Sequence, residues 1–362
     1  MSSRVSRSAL RKGKKDAKNV NVALVGLNRM SGSIGLGLRS VSDRPNTNLV
    51  FTVLGRDLDN EAMKTASRIG AVDNFNRTLQ VVVEKADIIF VNMPLSEQEE
   101  TFARLGPLMK AGAVVVDLSP LKMPAVKLAK QHFPKGDDGK AKAYLVGATP
   151  LVGFDQLYDE DRSIAAAKEY LFRNSDVLIV PDASTPPEAV KVVTDIAELL
   201  NMKPRFMDPL EHDGLASLTE GIPLLLSVLL FQMVQQSPGK TDILRASNTR
   251  FASLIENLRH VTSKEIAKMW RPNRDALIQQ IDQMNQTLES FKALLAEDAE
   301  DPLVLESHME QLLTSFLAWE LRREKNDWDD EAASDLDNIS AVGVPVIGQA
   351  FNLRRPRSND KE

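Results

Sequence analysis

Between residue 21 and about residue 207, short runs rich in β-branched residues alternate with stretches whose apolar positions recur at helical spacing. That alternation leaves few folds open, because it builds a parallel sheet with crossover helices. The predicted strands are VALVG (22–26), VFTVLG (50–55), ADIIFVNMP (86–94), AVVVDLS (113–119), AYLVGATP (143–150) and VLIVP (177–181). EQEETFARLGPLMKAG (97–112) and PEAVKVVTDIAELLNM (187–202) repeat apolar residues as helices do. After FMDPLEHDG (206–214) the strands stop, and the pattern is helical to about Trp328.

The fold class expected is therefore α/β, a Rossmann-like doubly wound parallel sheet followed by an all-α domain. With 362 residues the chain has room for about two domains. The expected boundaries are a dinucleotide-binding domain over 19–207 and a helical domain over 208–330, flanked by a basic tail (1–18) and a C-terminal tail (331–362). The tail at 1–18 carries a net +6 in a chain of net −5, which leaves −11 on the remaining residues. A body so acidic argues against nucleic acid as the main ligand. In the last residues an acidic linker leads to VGVPVIGQAF (342–351), expected to dock on the body or on a partner subunit.

There is no Cys, which excludes disulfides, thiolate nucleophiles and Cys-ligated metals and allows a reducing cytoplasm. The longest apolar run, IPLLLSVLLFQMV (222–234), is shorter than the ~20 residues of a membrane span and reads as a buried helix. No signal-peptide core precedes the first strand. His, Asp and Glu nowhere combine at the spacing of a metal site, so no metal is expected.

The first strand runs into GLNRMSGSIG (26–35). A dinucleotide-binding turn uses three glycines: one for the tight turn, one for backbone approach to the pyrophosphate, one for packing of helix on strand. Here those positions are Gly26, Asn28 and Ser31. Asn28 tolerates positive φ, Gly32 follows directly, and the helix start offers amides, with the hydroxyls of Ser31 and Ser33, to a phosphate. The second strand ends at Arg56 and Asp57; Asp57 suits adenosine ribose hydroxyls and Arg56 a 2′-phosphate, so NAD and NADP both remain open. The cofactor-binding set is thus Gly26, Asn28, Arg29, Met30, Ser31, Gly32, Arg56 and Asp57, with Met93 and Pro94 at the end of the third predicted strand.

Taken in order, GLNRMSGSIG, VLGRDLDN, ADIIFVNMPLSEQEE, VVVDLSPLK, YLVGATPLVGFD, LFRNSDVLIVP, EHDGLASLTEGIP and NTRFAS…MWRPN make a series that resembles the prephenate and arogenate dehydrogenases, from about residue 20 to 295. The resemblance implies NAD or NADP in the first domain and a homodimer formed through the second. It also implies oxidation of the ring carbinol of a cyclohexadienol carboxylate, with loss of CO2. It places Arg250 on a substrate carboxylate, a task that suits a guanidinium fork.

The departures fall where the chemistry belongs. The family's Gly-Ser-Val-Lys reads SPLK, with Ser119 one residue early and Lys122 retained; Gly-Gly-His-Pro reads GATP, so Thr149 stands where the catalytic histidine is expected; Ser-His-Leu-Pro-His reads EGIPL, which brings Glu220 to the site. A histidine titrates near neutral pH and a threonine hydroxyl does not. Glu220, if buried, would be a substitute base. The catalytic candidates are accordingly Thr149, Ser119, Glu220 and Lys122. Two readings stand side by side: a dehydrogenase acting on prephenate, arogenate or another small carboxylate, and a catalytically impaired homologue that binds nucleotide or carboxylate in a regulatory role. His212 and Asp213 read as a structural cap or hinge pair at the domain junction, and Arg271 and Arg274 face either substrate or solvent.

Overall fold

The computed structural model describes residues 17–328, apart from 137, 138, 140, 300 and 302. The expectations for the C-terminal tail, and for all of the basic tail but its last two residues, lie outside the described residues. Lys18 already opens the first strand.

Eight strands form one sheet: β1 Lys18–Val25, β2 Leu49–Arg56, β3 Asn74–Phe75, β4 Ile88–Val91, β5 Val114–Asp117, β6 Tyr144–Pro150, β7 Ser175–Pro181 and β8 Met202–Phe206, in the spatial order β3-β2-β1-β4-β5-β6-β7-β8. The helices are α1 Arg29–Asp43, α2 Asn60–Ile69, α3 Leu79–Val83, α4 Leu95–Leu105, α5 Lys122–His132, α6 Pro187–Leu199, α7 Pro209–Ala216, α8 Ile222–Gln236, α9 Lys240–Ala246, α10 Thr249–Ile255, α11 Ser263–Trp270, α12 Arg274–Asp298 and α13 Leu303–Lys325. All six predicted strands are present.

The sheet is mixed rather than wholly parallel, because β7 runs antiparallel to β6. Residues 151–174 contain only 3-10 turns and no crossover helix, so the chain returns along β6 instead of crossing the sheet. Pro150 pairs with Val177, which keeps the connection at the carboxyl edge of the sheet. Strands β3 and β8 were not anticipated. β3 has two residues, and β8 (MKPRF) is a largely exposed edge strand of the kind in which proline is tolerated.

Side chains of β1 alternate between two cores, as the pleat requires. Val22 and Leu24 join Ile34 and Leu38 of α1 on one face, while Ala23 and Val25 join Phe102 of α4 and Ala125 of α5 on the other. Each face of the sheet is thus sealed by its own helices.

Residues up to Asn285 make one compact unit and those from Gln286 a second. In the first, a π-helical stretch, Ser217–Gly221, joins α7 to α8, so the helical run Pro209–Gln236 is 28 residues long. By length and composition alone it could cross a membrane, although the apolar segment itself is shorter; a third of its most apolar window (33%) is buried within the chain. In the second unit, Phe316 and Trp319 pack with ring centroids 5.7 Å apart on α13.

Candidate functional site

The strand order reverses between β1 and β4, and the carboxyl ends of β1, β4, β5 and β6 share one edge. Ligands of open α/β sheets bind in that crevice. Gly26 forms the tight turn after β1 at φ +90, and a Cβ there would lie 2.2 Å from the carbonyl oxygen of Asn92. Only glycine fits so close an approach. Asn28 does not take positive φ; it sits at φ −137 as the N-cap of α1.

Every amide of this turn has a partner within the chain. Gly26 N–H donates to the Arg56 carbonyl, Leu27 N–H to Asp57 Oδ2 (2.6 Å), Asn28 N–H to Ser31 Oγ (3.0 Å), and Arg29 N–H to the Arg162 carbonyl (3.0 Å). Met30 and Ser31 N–H both donate to Asn28 Oδ1, at 3.0 and 3.2 Å. The side-chain carboxamide of Asn28 therefore occupies the helix terminus where a phosphate oxygen is favoured, and Asn92 Nδ2 holds it there at 2.8 Å. The hydroxyls expected to meet phosphate are likewise engaged: Ser31 Oγ donates to the Gly26 carbonyl and Ser33 Oγ to that of Arg29. Gly32 does close-packing duty instead, since a Cβ there would meet Ile164 Cδ1 at 2.3 Å.

Arg29 is buried, and its guanidinium clamps the 151–174 connection by bonding the Asp159 carbonyl, Asp159 Oδ2 (3.0 Å) and Gln156 Oε1 (3.3 Å). Lys168 meets the same Asp159 carboxylate at 3.0 Å; that hydrogen bond, then the Asp161 amide, holds the Asp159 carboxyl below its ordinary range. From the same segment Arg162 reaches Asn257 at 3.2 Å. One strap thus touches the nucleotide turn and the helical stretch. Arg29→Met is expected to release it, seen as faster tryptic cleavage at Arg162 and Lys168.

Arg56 is buried at the end of β2 with its Nε unpartnered. Burial, then the nearby Arg104, lowers its pKa, while Asp57, Glu97 and Glu100 pull the other way. Asp57 is engaged by Leu27 N–H and, at 2.8 Å, by Asp59 N–H. Met93 is buried, and Pro94 is the N-cap of α4. The first amides of α4 donate to Glu265 of α11, Leu95 N–H at 2.8 Å and Ser96 N–H at 2.9 Å.

Ser119 and Lys122 do not face the crevice. Both are 1% exposed. Lys122 Nζ donates to the carbonyls of Asp117 (3.1 Å), Ser119 and Ala148 (2.9 Å) and lies 3.8 Å from Asp117 Oδ2. Ser119 Oγ donates to Asp117 Oδ2 (2.6 Å) and accepts from Gln98 Nε2 (3.0 Å). Burial pushes the Lys122 ammonium down and the Asp117 carboxyl up, while each charge pulls the other back. This pair braces the ends of β5 and β6 and is out of a substrate's reach.

Thr149, half-buried near the end of β6, is placed differently. Its Oγ1 lies 2.8 Å from Nε2 of His212 in α7, and His212 Nδ1 lies 3.2 Å from Asp213 Oδ1. The structure therefore sets an imidazole directly behind the position where the histidine is missing. Glu220, in the π-helical stretch, is exposed by surface area, yet desolvation by its neighbours raises its carboxyl pKa and Arg162 draws it back. A folded-state pKa above the unfolded one gives stability that is full below about pH 4.5 and lost as pH rises through the folded value. Glu220→Gln should then stabilise the protein at neutral pH and leave it unchanged at pH 4, as urea melts at the two pH values would read. Arg250 is exposed in the first turn of α10 and makes no hydrogen bond or ion pair among the described residues.

Sequence reasoning missed the reach of His212 to Thr149 and the roles of Arg162, Asp159 and Glu265. No local pattern marks them, since each acts on a residue far away in the chain. Among the described residues no group of three or more His, Asp or Glu is placed to hold a metal ion. A shallow groove of about 490 Å³ between Pro181, Lys191 and Phe206 lies toward the opposite end of β7 and takes no part in this crevice.

Residues 46–205 match the family described as prephenate dehydrogenase, nucleotide-binding domain; the turn at 26–31 lies before the match. The chain is 24% identical over 290 residues to a prephenate dehydrogenase of Bacillus subtilis, covering 77% of this chain and 71% of that protein. It is 24% identical over 280 residues to a cyclohexadienyl dehydrogenase of Zymomonas mobilis, covering 75% and 90%. Among solved structures, prephenate dehydrogenase from A. aeolicus in complex with hydroxyphenyl propionate and NAD+ superposes with a TM-score of 0.67 at 18% identity, over 84% of this chain and 100% of that one.

Proposed function

We propose, since this chain belongs to the prephenate and arogenate dehydrogenase family, that it is an NAD(P)-dependent dehydrogenase acting on a cyclohexadienol carboxylate. The observation that carries the reading is Thr149 near the end of β6, on the crevice edge that bears the Gly26 turn, with a base hydrogen-bonded behind it.

The residues fit a dinucleotide. Gly26 makes the close strand approach that the turn needs, and the buried, unpartnered Nε of Arg56 beside Asp57 is a cation suited to the adenosine end. The amides of Met30 and Ser31 would hold the diphosphate once the Asn28 carboxamide gives way, and Met93 and Pro94 would line the nicotinamide end. The cofactor, when bound, supplies the hydride acceptor. Arg250 would neutralise the substrate carboxylate, and Thr149 would receive the carbinol hydroxyl.

Calorimetric titration with NAD+ and NADP+, followed by absorbance at the reduced-nicotinamide band after adding prephenate or arogenate, tests this. Turnover supports the reading. Binding without turnover would favour the second reading, a catalytically impaired regulatory homologue, for which the fully self-bonded turn at 26–31 speaks.

The stretch 208–330 serves, in this reading, as the substrate and dimerisation region of a cytoplasmic homodimer. Leu226, Leu229 and Met233 on α8 and Leu254 on α10 are exposed, and a second copy would cover them; sedimentation equilibrium would read a monomer mass if it does not.

A further inference from the structure

His212 and Asp213 are 2% and 1% exposed, while Thr149 is half-buried at the crevice edge. Thr149 is therefore the member of this cluster with exposed surface. The imidazole is pinned from behind. Asp213 Oδ1 lies 3.2 Å from His212 Nδ1 and also accepts from Lys122 N–H at 2.6 Å; Asp213 Oδ2 accepts from Met123 N–H at 2.9 Å, and Asn273 Nδ2 donates to the Asp213 carbonyl at 2.8 Å. A carboxylate fixed by two helix amides has no freedom to follow the ring, so it selects the tautomer with the proton on Nδ1. Nε2 is then a free lone pair aimed at Thr149 Oγ1, 2.8 Å away.

We propose that Thr149, His212 and Asp213 form a proton relay that replaces the single histidine expected at position 149. The proposal rests on the dehydrogenase reading and names how that site removes its proton. The carbinol O–H breaks as its proton passes to Thr149 Oγ1, and the proton already on Oγ1 passes to His212 Nε2. The threonine ends unchanged, and the imidazole ends protonated on both nitrogens. The carbinol carbon becomes a carbonyl as its hydride leaves to the oxidised nicotinamide dinucleotide. Asp213 stabilises the imidazolium without taking the proton.

A cap or hinge would use His212 for packing and hydrogen bonding alone. A cap needs neither a free Nε2 nor a hydroxyl at position 149, and this difference is measurable. Among the described residues, the charged groups linked to the imidazole are Asp213 on its own helix and, by charge interaction with Asp213, Lys122 on α5, which in turn faces Asp117 at the end of β5.

Ring ¹⁵N shifts of His212 in the protein without cofactor are expected to show the Nδ1-protonated tautomer, shifting to Nε2-protonated in Asp213→Asn. With prephenate or arogenate and NAD+ or NADP+, Thr149→Val and His212→Gln should each lower kcat by about 10² to 10⁴. Thr149→Ser, which keeps the hydroxyl, should stay within about tenfold. The double variant should fall no further than either single one, as members of one relay act as a unit. An Nε2-protonated tautomer in the unsubstituted protein overturns the relay, as does equal activity of Thr149→Val and Thr149→Ser. Absence of turnover in the unsubstituted protein overturns the dehydrogenase reading and the relay with it, whereas turnover with an Nε2-protonated His212 overturns the relay alone.

Discussion

Lys122→Met is expected to lower the free energy of unfolding by about 3 to 5 kcal/mol, the usual cost of removing one partner from a buried ion pair. The ammonium bonds three main-chain carbonyls, of Asp117, Ser119 and Ala148, and faces the Asp117 carboxylate, which is 0% exposed. Methionine fills similar volume but takes the ammonium donor from those carbonyls and leaves the carboxylate without its cation. A urea titration reads the loss. The partner change separates charge from packing: Lys122→Met with Asp117→Leu should recover much of the stability, because an apolar pair of similar volume carries no uncompensated charge. A fall of under 1 kcal/mol in the single variant would mean the pair does not brace β5 and β6.

Gly26→Ala is the second large effect. An L-residue at φ +90 is strained by about 1 to 2 kcal/mol, and the added Cβ would lie 2.2 Å from the carbonyl oxygen of Asn92 and 2.7 Å from its carbon. Both are main-chain atoms at the end of β4, so no side chain can rotate aside, and overpacking adds about 1 to 3 kcal/mol. The total of roughly 2 to 5 kcal/mol should appear in chemical denaturation, with loss of any nucleotide affinity because β1 and β4 must part. Gly112 supplies the control. It has φ +81 but nothing within 4 Å of its Cβ position, so Gly112→Ala should cost the strain alone. Equal losses at the two glycines would mean that the close approach at Asn92 is not tight.

The six predicted strands and the helices over 97–105 and 187–199 were legible because each is a local pattern: β-branched runs at period two, apolar residues at helical spacing, and turn residues between. The Gly26 turn was legible for the same reason. β8 was not, since a strand exposed at the sheet edge has no apolar run to announce it, and the antiparallel course of β7 depends on where a 24-residue connection leads.

The site was legible as positions, not as chemistry. Thr149, Ser119, Lys122 and Glu220 all lie in segments that the resemblance marked, but burial sorts them differently. Ser119 and Lys122 are sealed into a brace, Glu220 is exposed, and Thr149 alone is paired with an imidazole. The phosphate-facing amides illustrate the same limit: sequence suggested open donors at the start of α1, and the fold closes them with Asn28 Oδ1 and the Arg162 carbonyl.

The amino-acid sequence by itself determined a sheet of alternating strands and helices with a tight glycine turn after its first strand, because hydrophobic period and turn chemistry act between near neighbours in the chain. Only the tertiary structure decided where a proton can go. Thr149 and His212 are 63 residues apart, and their contact exists because α7 packs against α5 beside the end of β6; no periodicity records a contact made across that distance.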